Sequence, residues 1–342
     1  MTCSVYFVSK LFSLFIAASI AKERSDEKSV LVFINQPAGD NGVYELLQEW
    51  AESPFDQSYS FQGQFKGLLN KVRKRRDLFN DISVLIKDIK PVNIFTGNDR
   101  RMEFQYAMHI AKGMNKDVSG HYMDEGTFTY LGRKAANPLG HFTDNLIKKM
   151  SYGFWWQEPE TIGASKLIND IHVAFPEFID KRLRQKVIHQ LNASAFMSSD
   201  ISSFCEMLLR DKDVDVASVS EFDCLVTLPY ESIIHNDPDY KRRILQLISE
   251  NKGKIAVKYH PRDSVEDCLN LCREGVTLLP GSIPFEAMLP LLSKDTVVVG
   301  DVSSTLLAAR WLRPDLRVIS YLGGSGGNRF VDLFKQVGIE IR

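Results

Sequence analysis

The chain has 342 residues, enough for two domains that each bury a core, and its formal net charge of -1 gives no global attraction for nucleic acid. Hydrophobic residues make up 44% of it and charged residues 25%, the balance of a soluble globular protein. Five cysteines, an odd number scattered along the chain, do not make a disulfide framework, and Cys268 and Cys272 lack a second ligand pair at zinc spacing.

A first strand is expected at 4–9. Lys10 and the apolar run from Leu11 to Ala21 then mimic a signal peptide, although the run is too short to span a bilayer. Its flanks decide the reading. Ser4 to Val8 and Ser29 to Ile34 both have strand composition, so the run is read as the buried helix of a first β-α-β unit and the protein as cytoplasmic. An exported two-lobed solute-binding protein is the alternative that this run leaves open. Further strands are expected at 92–96, 118–123 and 171–174, with a helix over 64–90 that stops before Pro91. The cluster Lys71, Arg73, Lys74, Arg75 and Arg76 on that helix reads as a solvated face, or else as a docking surface for an anionic acceptor or an acidic membrane. Peripheral association with the cytoplasmic face of an inner membrane follows from the second reading.

From Asp180 to Ser220 polar residues gather without a clear strand, which places the crossing between a domain at 1–195 and one at 196–342. The Asp-x-Asp spacing in Asp211 to Asp215 follows no apolar strand and reads as surface. After Phe222 strands are expected at 223–228, 254–259, 276–279, 296–300 and 317–322, separated by helices at 237–250, 264–273, 284–293, 303–312 and 328–337. This alternation predicts an α/β protein of two Rossmann-like, doubly wound domains facing a central cleft.

Three strand ends carry reactive side chains, and strand ends are where open α/β sheets bind ligands. Val118 to Met123 leads into Asp124-Glu125-Gly126, an adjacent carboxylate pair suited to general-base work or, alternatively, to a plain helix cap. Lys254 to Lys258 leads into Tyr259-His260-Pro261, where the proline holds the histidine extended. Lys258 and Arg262 flank that histidine and can complement a phosphate, with Lys258 facing the opposite side of its strand as the equal alternative. Thr296 to Gly300 leads into Asp301-Val302-Ser303-Ser304, hydroxyls and free N–H groups at a helix start. Between the last two, Pro284 reads as a first-turn proline, and Glu286 can accept from ribose hydroxyls or simply complement a helix dipole. Gly323 to Asn328 offers a phosphate cradle or a loop over the nucleotide. His121 and Trp156 (with Trp155) stand as candidate acceptor contacts, each with core packing as its alternative.

The set Asp124-Glu125-Gly126, His260-Pro261 and Ser303-Ser304, in this order, resembles the bacterial sialyltransferases, with their acidic-acidic-Gly, His-Pro and paired Ser/Thr motifs. The resemblance spans about 4–338, and the stretch from Tyr152 through Gly163 to Glu177 is similar to the polysialyltransferase-related branch. It implies the GT-B fold and a donor, CMP-sialic acid, used without metal or other cofactor. It also implies inversion in a single displacement onto a surface glycan such as lipooligosaccharide or capsule. Asp124 or Glu125 would then be the base, His260 would face the leaving phosphate, Ser303 and Ser304 would hold it together with Lys258 and Pro261, and Glu286 would bind the ribose. Gly126, His121 and Trp156 fall on the acceptor side. Another CMP-activated acid sugar as donor, or a sugar-nucleotide epimerase, remains open at this point, as do the acceptor, the linkage, polymerisation and a homodimeric state.

Overall fold

The computed structural model describes all residues except 1, 36–41, 64, 66–67, 134–147, 150–152, 252, 264 and 322–328. Its contacts divide the chain into two compact units, Met1–Phe196 and Met197–Arg342.

The first unit is built on a parallel sheet of seven strands in the order β3-β2-β1-β4-β5-β6-β7. They are β1 (Cys3–Val8), β2 (Lys28–Asn35), β3 (Gln57–Gln62), β4 (Asn93–Thr96), β5 (Ser119–Met123), β6 (Asp170–Val173) and β7 (Val187–Gln190). Every residue of β1 is buried, as expected of a strand covered on both faces. The signal-peptide-like run is the helix Leu11–Glu23, buried from Ser13 to Ala21 between β1 and β2. The long helix is Leu68–Ile89, and in its cluster the side chains of Arg73, Lys74 and Arg76 are exposed while that of Lys71 lies outside the described residues. Strands β3 and β7 were not anticipated. β7 is exposed at all four positions and lies in the stretch expected to hold no strand, because an edge strand pairs on one side only and needs no apolar run.

The second unit holds a six-stranded parallel sheet in the order β10-β9-β8-β11-β12-β13. These are β8 (Cys224–Thr227), β9 (Ile255–Lys258), β10 (Thr277–Leu279), β11 (Val297–Gly300), β12 (Arg317–Ser320) and β13 (Glu340–Ile341). The first five match expectation, and β13, two residues at the edge, is additional. The helix expected at 264–273 does not form. Asp267 instead accepts from the backbone N–H of Leu271 at 2.8 Å and of Cys272 at 3.0 Å, and Asn270 takes a left-handed conformation, φ 55°, so side-chain bonds to the backbone displace the helical ladder. The helix expected at 284–293 is one α-turn, Phe285–Met288, followed by a 3₁₀ turn, Leu289–Leu291, since Pro290 has no N–H to continue it. Pro284 is the residue before that helix rather than inside its first turn.

In each sheet the connections reverse direction once, between β1 and β4 and between β8 and β11, and the carboxyl ends of the strands flank that crevice. All five cysteines are free thiols. Among the described residues no helix is long and apolar enough to cross a membrane.

Candidate active site

The acidic pair divides its labour. The Asp124 N–H donates to the His172 carbonyl at 2.9 Å, continuing the β5–β6 ladder by one residue. Its Oδ1 accepts from Gly126 N–H at 2.8 Å and from the Thr129 hydroxyl at 2.7 Å; its Oδ2 accepts from Ala174 N–H at 3.1 Å and from the Tyr130 hydroxyl. With 2% of its surface exposed, Asp124 is walled in by these four donors. Burial pushes its pKa up and the donors pull against that rise. Gly126 turns the chain at φ 98°, where a side chain would be strained, and opens the helix Thr127–Leu131.

Glu125 points elsewhere. Its carboxylate meets Lys10 Nζ at 3.1 Å, with the lysine 64% and the glutamate 9% exposed. Lys10 follows β1 and Glu125 follows β5, with β4 between them in the sheet, so the pair spans the mouth of the β1/β4 switch point. Burial pushes the Glu125 pKa up, opposed first by Lys10. If Glu125 serves as a base it must act deprotonated, and its rate contribution would fall as pH drops through this raised pKa. Lys10→Met removes the opposing charge and is expected to move the acid limb of kcat/KM to higher pH, whereas a pH profile superimposable on the parent's would separate Lys10 from Glu125.

Two acceptor candidates in this unit are packed instead. His121 lies within β5, stacked on Phe95 at 4.3 Å, with its ring nitrogens 3.2 Å from His172 Nε2 and 3.1 Å from Asn93 Oδ1. Burial lowers its pKa to about 4, so it is neutral at pH 7 and serves this internal network. Trp156 is 3% exposed beneath Lys148, and Trp155 packs edge-on against Phe79 at 5.7 Å. Neither indole face of Trp156 is presented as a sugar platform.

In the second unit, β9 delivers His260 half-buried at the sheet's end, beside Tyr230 from the exit of β8 at 5.6 Å. The Arg262 N–H donates to His260 Nδ1 at 3.2 Å. A ring nitrogen that accepts carries no proton, so the neutral imidazole holds its proton on Nε2 and can donate there. Burial, then Arg262, lowers the His260 pKa, while Asp263 raises it. Asp263 also fixes the turn, accepting from the N–H groups of His260 at 3.2 Å and Glu231 at 2.9 Å. Nothing in the sequence singled it out, because one of its two partners comes from another strand's exit. Asp263→Asn keeps the shape but removes the charge that raises the His260 pKa, so that pKa is expected to fall further. Titration of the His260 ring proton by NMR checks this, and an unmoved midpoint would refute the coupling.

Lys258 turns inward. It is 5% exposed and its Nζ donates to the carbonyls of Gly281 at 2.9 Å and Tyr259 at 3.3 Å, which ties the β9 exit to the β10 exit. Burial lowers its pKa to about 8, with Glu286 opposing. Between these exits opens a cavity of about 350 Å³, lined by His260, Pro261, Asp263, Glu266, Gly281 and Ser282 among others. On the far side of β8, Ser303 caps the helix Ser304–Leu312, its Oγ accepting from the Thr305 N–H at 3.1 Å, and Ser304 is exposed as the first helical residue. The His-Pro turn, the cavity and the serine cap thus belong to one sheet end, on β9, β10 and β11. The candidate glycine-rich loop, Gly323 to Asn328, lies outside the described residues. Among the described residues no His, Cys, Asp and Glu cluster could hold a metal ion.

The family model described as alpha-2,8-polysialyltransferase matches residues 4–322. No curated protein matches the chain. Among solved structures, a UDP-N-acetylglucosamine 2-epimerase is similar at 13% identity and TM-score 0.55, covering 97% of this chain and 81% of that one. A UGT transferase from Siraitia grosvenorii in complex with UDP is similar at 12% identity and TM-score 0.50, covering 100% of this chain and 86% of that one. At such identity these likenesses show the fold alone, two Rossmann-like domains of the GT-B class.

Proposed function

Since the chain belongs to the alpha-2,8-polysialyltransferase family and is a GT-B sialyltransferase, we propose that it transfers sialic acid from CMP-sialic acid to a hydroxyl of a surface glycan, with inversion and without metal. The family's description makes the 8-hydroxyl of a terminal sialic acid the first acceptor to test. The observation that carries the reading is the family match together with the placement of its motifs. An acidic pair ends a central strand of one sheet, and a histidine turn and a serine cap end strands of the other.

The chemistry needs a base for the acceptor hydroxyl and positive polarity for the departing phosphate. Glu125 is the member of the acidic pair suited to the first task, since the four donors on Asp124 leave it no room for a hydroxyl. For the second, His260 Nε2–H, the N–H groups at the start of the Ser304–Leu312 helix and the Ser303 and Ser304 hydroxyls offer donors without a cation. Lys258 holds the two loops that frame the cavity, which supports a nucleoside there; Glu286, in the helical turn Phe285–Met288 and not among the residues lining that cavity, is the proposed acceptor for the ribose hydroxyls. One displacement with the base on one face and the phosphate on the other inverts the anomeric centre. The scheme gives the base to Glu125 and the leaving-group donor to His260, and it needs water excluded during transfer.

The nucleotide is the first thing to check. Calorimetry is expected to show CMP binding in the presence of EDTA, with UDP at least about tenfold weaker, and Glu286→Ala is expected to weaken CMP by roughly 1–3 kcal/mol. Tighter binding of UDP would replace this reading with the chemistry of a UDP-sugar enzyme.

A further inference from the structure

Glu158 is the meeting point of three cations. Lys148 Nζ lies 3.0 Å from its carboxylate and Arg133 Nη1 lies 3.5 Å away, while Arg100 donates through Nε at 2.7 Å and through Nη2 as well. Burial pushes the Glu158 pKa up, but the pull of Lys148 and Arg100 outweighs it and holds the carboxyl below its usual range. The glutamate side chain is 6% exposed, whereas Arg133 is 41%, Lys148 32% and Arg100 27% exposed, so the cations form an accessible rim over a sunken counter-charge. One negative charge against three positive ones leaves an excess of two among the described residues. A structural ion pair needs one cation; each further one at this range adds like-charge repulsion that an incoming anion relieves.

The cluster also lies at the functional end of its sheet. Arg100 follows the exit of β4, and Arg133 follows the helix Thr127–Leu131, which begins directly after Glu125-Gly126. β4 and β5 are neighbours, so both arginines belong to the same strand-end surface as Glu125. We infer that Arg100, Arg133 and Lys148 form a carboxylate-binding subsite for the acidic end of the acceptor glycan, with Glu158 as the built-in counter-charge that keeps them gathered when the subsite is empty. This rests on the proposed transfer reaction and assigns the acceptor's carboxylate to named residues. The planar guanidinium of Arg133, the most exposed of the three, matches a carboxylate in two-point contact.

The test compares two acceptors, a short α2,8-linked sialic acid oligomer and the same oligomer with its carboxyl groups reduced to alcohols. For the parent enzyme the acidic acceptor is expected to have the lower KM. Arg133→Ala is expected to raise the KM of the acidic acceptor by roughly 10–100-fold and to leave that of the reduced one within about twofold. Arg133→Lys should restore part of the preference, and Lys116→Ala, an exposed control outside the cluster, should change neither value. Equal losses with both acceptors, or no loss with either, would overturn the subsite. His260→Ala in parallel keeps the two readings apart: transfer that survives it overturns the reaction, while His260-dependent transfer with an unchanged acceptor ratio overturns the subsite alone.

Discussion

His260→Ala is expected to lower kcat for transfer by about 10²–10⁴-fold, the range seen when a proton donor or an oxyanion donor is removed from a developing negative charge. In the proposed reaction the leaving phosphate gains charge as its bond to the anomeric carbon breaks, so a donor that strengthens in that step would act on kcat more than on binding. His260 is only half-buried and its ring packs edge-on against Tyr230, so truncation leaves no core cavity and the variant should stay folded. Steady-state kinetics with CMP-sialic acid then separates the two contributions. A raised KM with unchanged kcat would make His260 a binding residue and deny it the leaving group.

The second large effect is on stability and comes from the carboxylate that the scheme does not use as a base. Asp124→Ala removes the acceptor for Gly126 N–H, Ala174 N–H and the hydroxyls of Thr129 and Tyr130, all inside the unit. Leaving such groups buried and unpaired costs about 3–5 kcal/mol, or roughly 6–20 °C in the melting temperature for a unit this size. Glu125→Gln is the counterpart. It keeps the shape, loses one ion pair to a well-exposed lysine, and should melt within about 2 °C of the parent while turnover falls by roughly 10²-fold or more. Should Asp124→Ala stay as stable as the parent and Glu125→Gln stay as active, the two carboxylates would have to exchange roles.

The central strands were legible because burial on both faces writes them as apolar runs: Val5 to Val8, Val30 to Ile34 and Val297 to Val299 announce themselves. The edges were not. Gln57-Ser58-Tyr59-Ser60-Phe61-Gln62 and Val187-Ile188-His189-Gln190 pair with a single neighbour each, and their signals, a short polar–aromatic alternation and two β-branched residues, are weaker than the apolar runs of the central strands. The helix expected at 264–273 failed for a local reason, Asp267 capturing the backbone N–H groups of Leu271 and Cys272. The candidate site shows the same division. Residue types at strand ends pointed to Asp124, Glu125, His260 and Ser303, but the partners that give each its part lie elsewhere in the chain. Ala174 and Tyr130 close off Asp124, Lys10 pairs with the largely buried Glu125, and Asp263 joins the His260 turn to the β8 exit. His121 stands three residues before the acidic pair in sequence, yet its contacts are Asn93 and His172 from the flanking strands, which is why proximity in sequence suggested a role that packing does not support.

A metal-free, inverting transfer of sialic acid that needs one carboxylate from the first unit and one histidine from the second can be read in a single experiment. The enzyme is incubated with CMP-sialic acid and a sialic acid oligomer in EDTA, CMP release is followed, and the anomeric configuration of the new linkage is read by NMR, for the parent, Glu125→Gln and His260→Ala. CMP release is expected to be matched by a product of anomeric configuration opposite to the donor's, with both variants reduced by at least about 10²-fold. Retention of configuration, abolition of activity by EDTA, or parent-like turnover in either variant would contradict the mechanism.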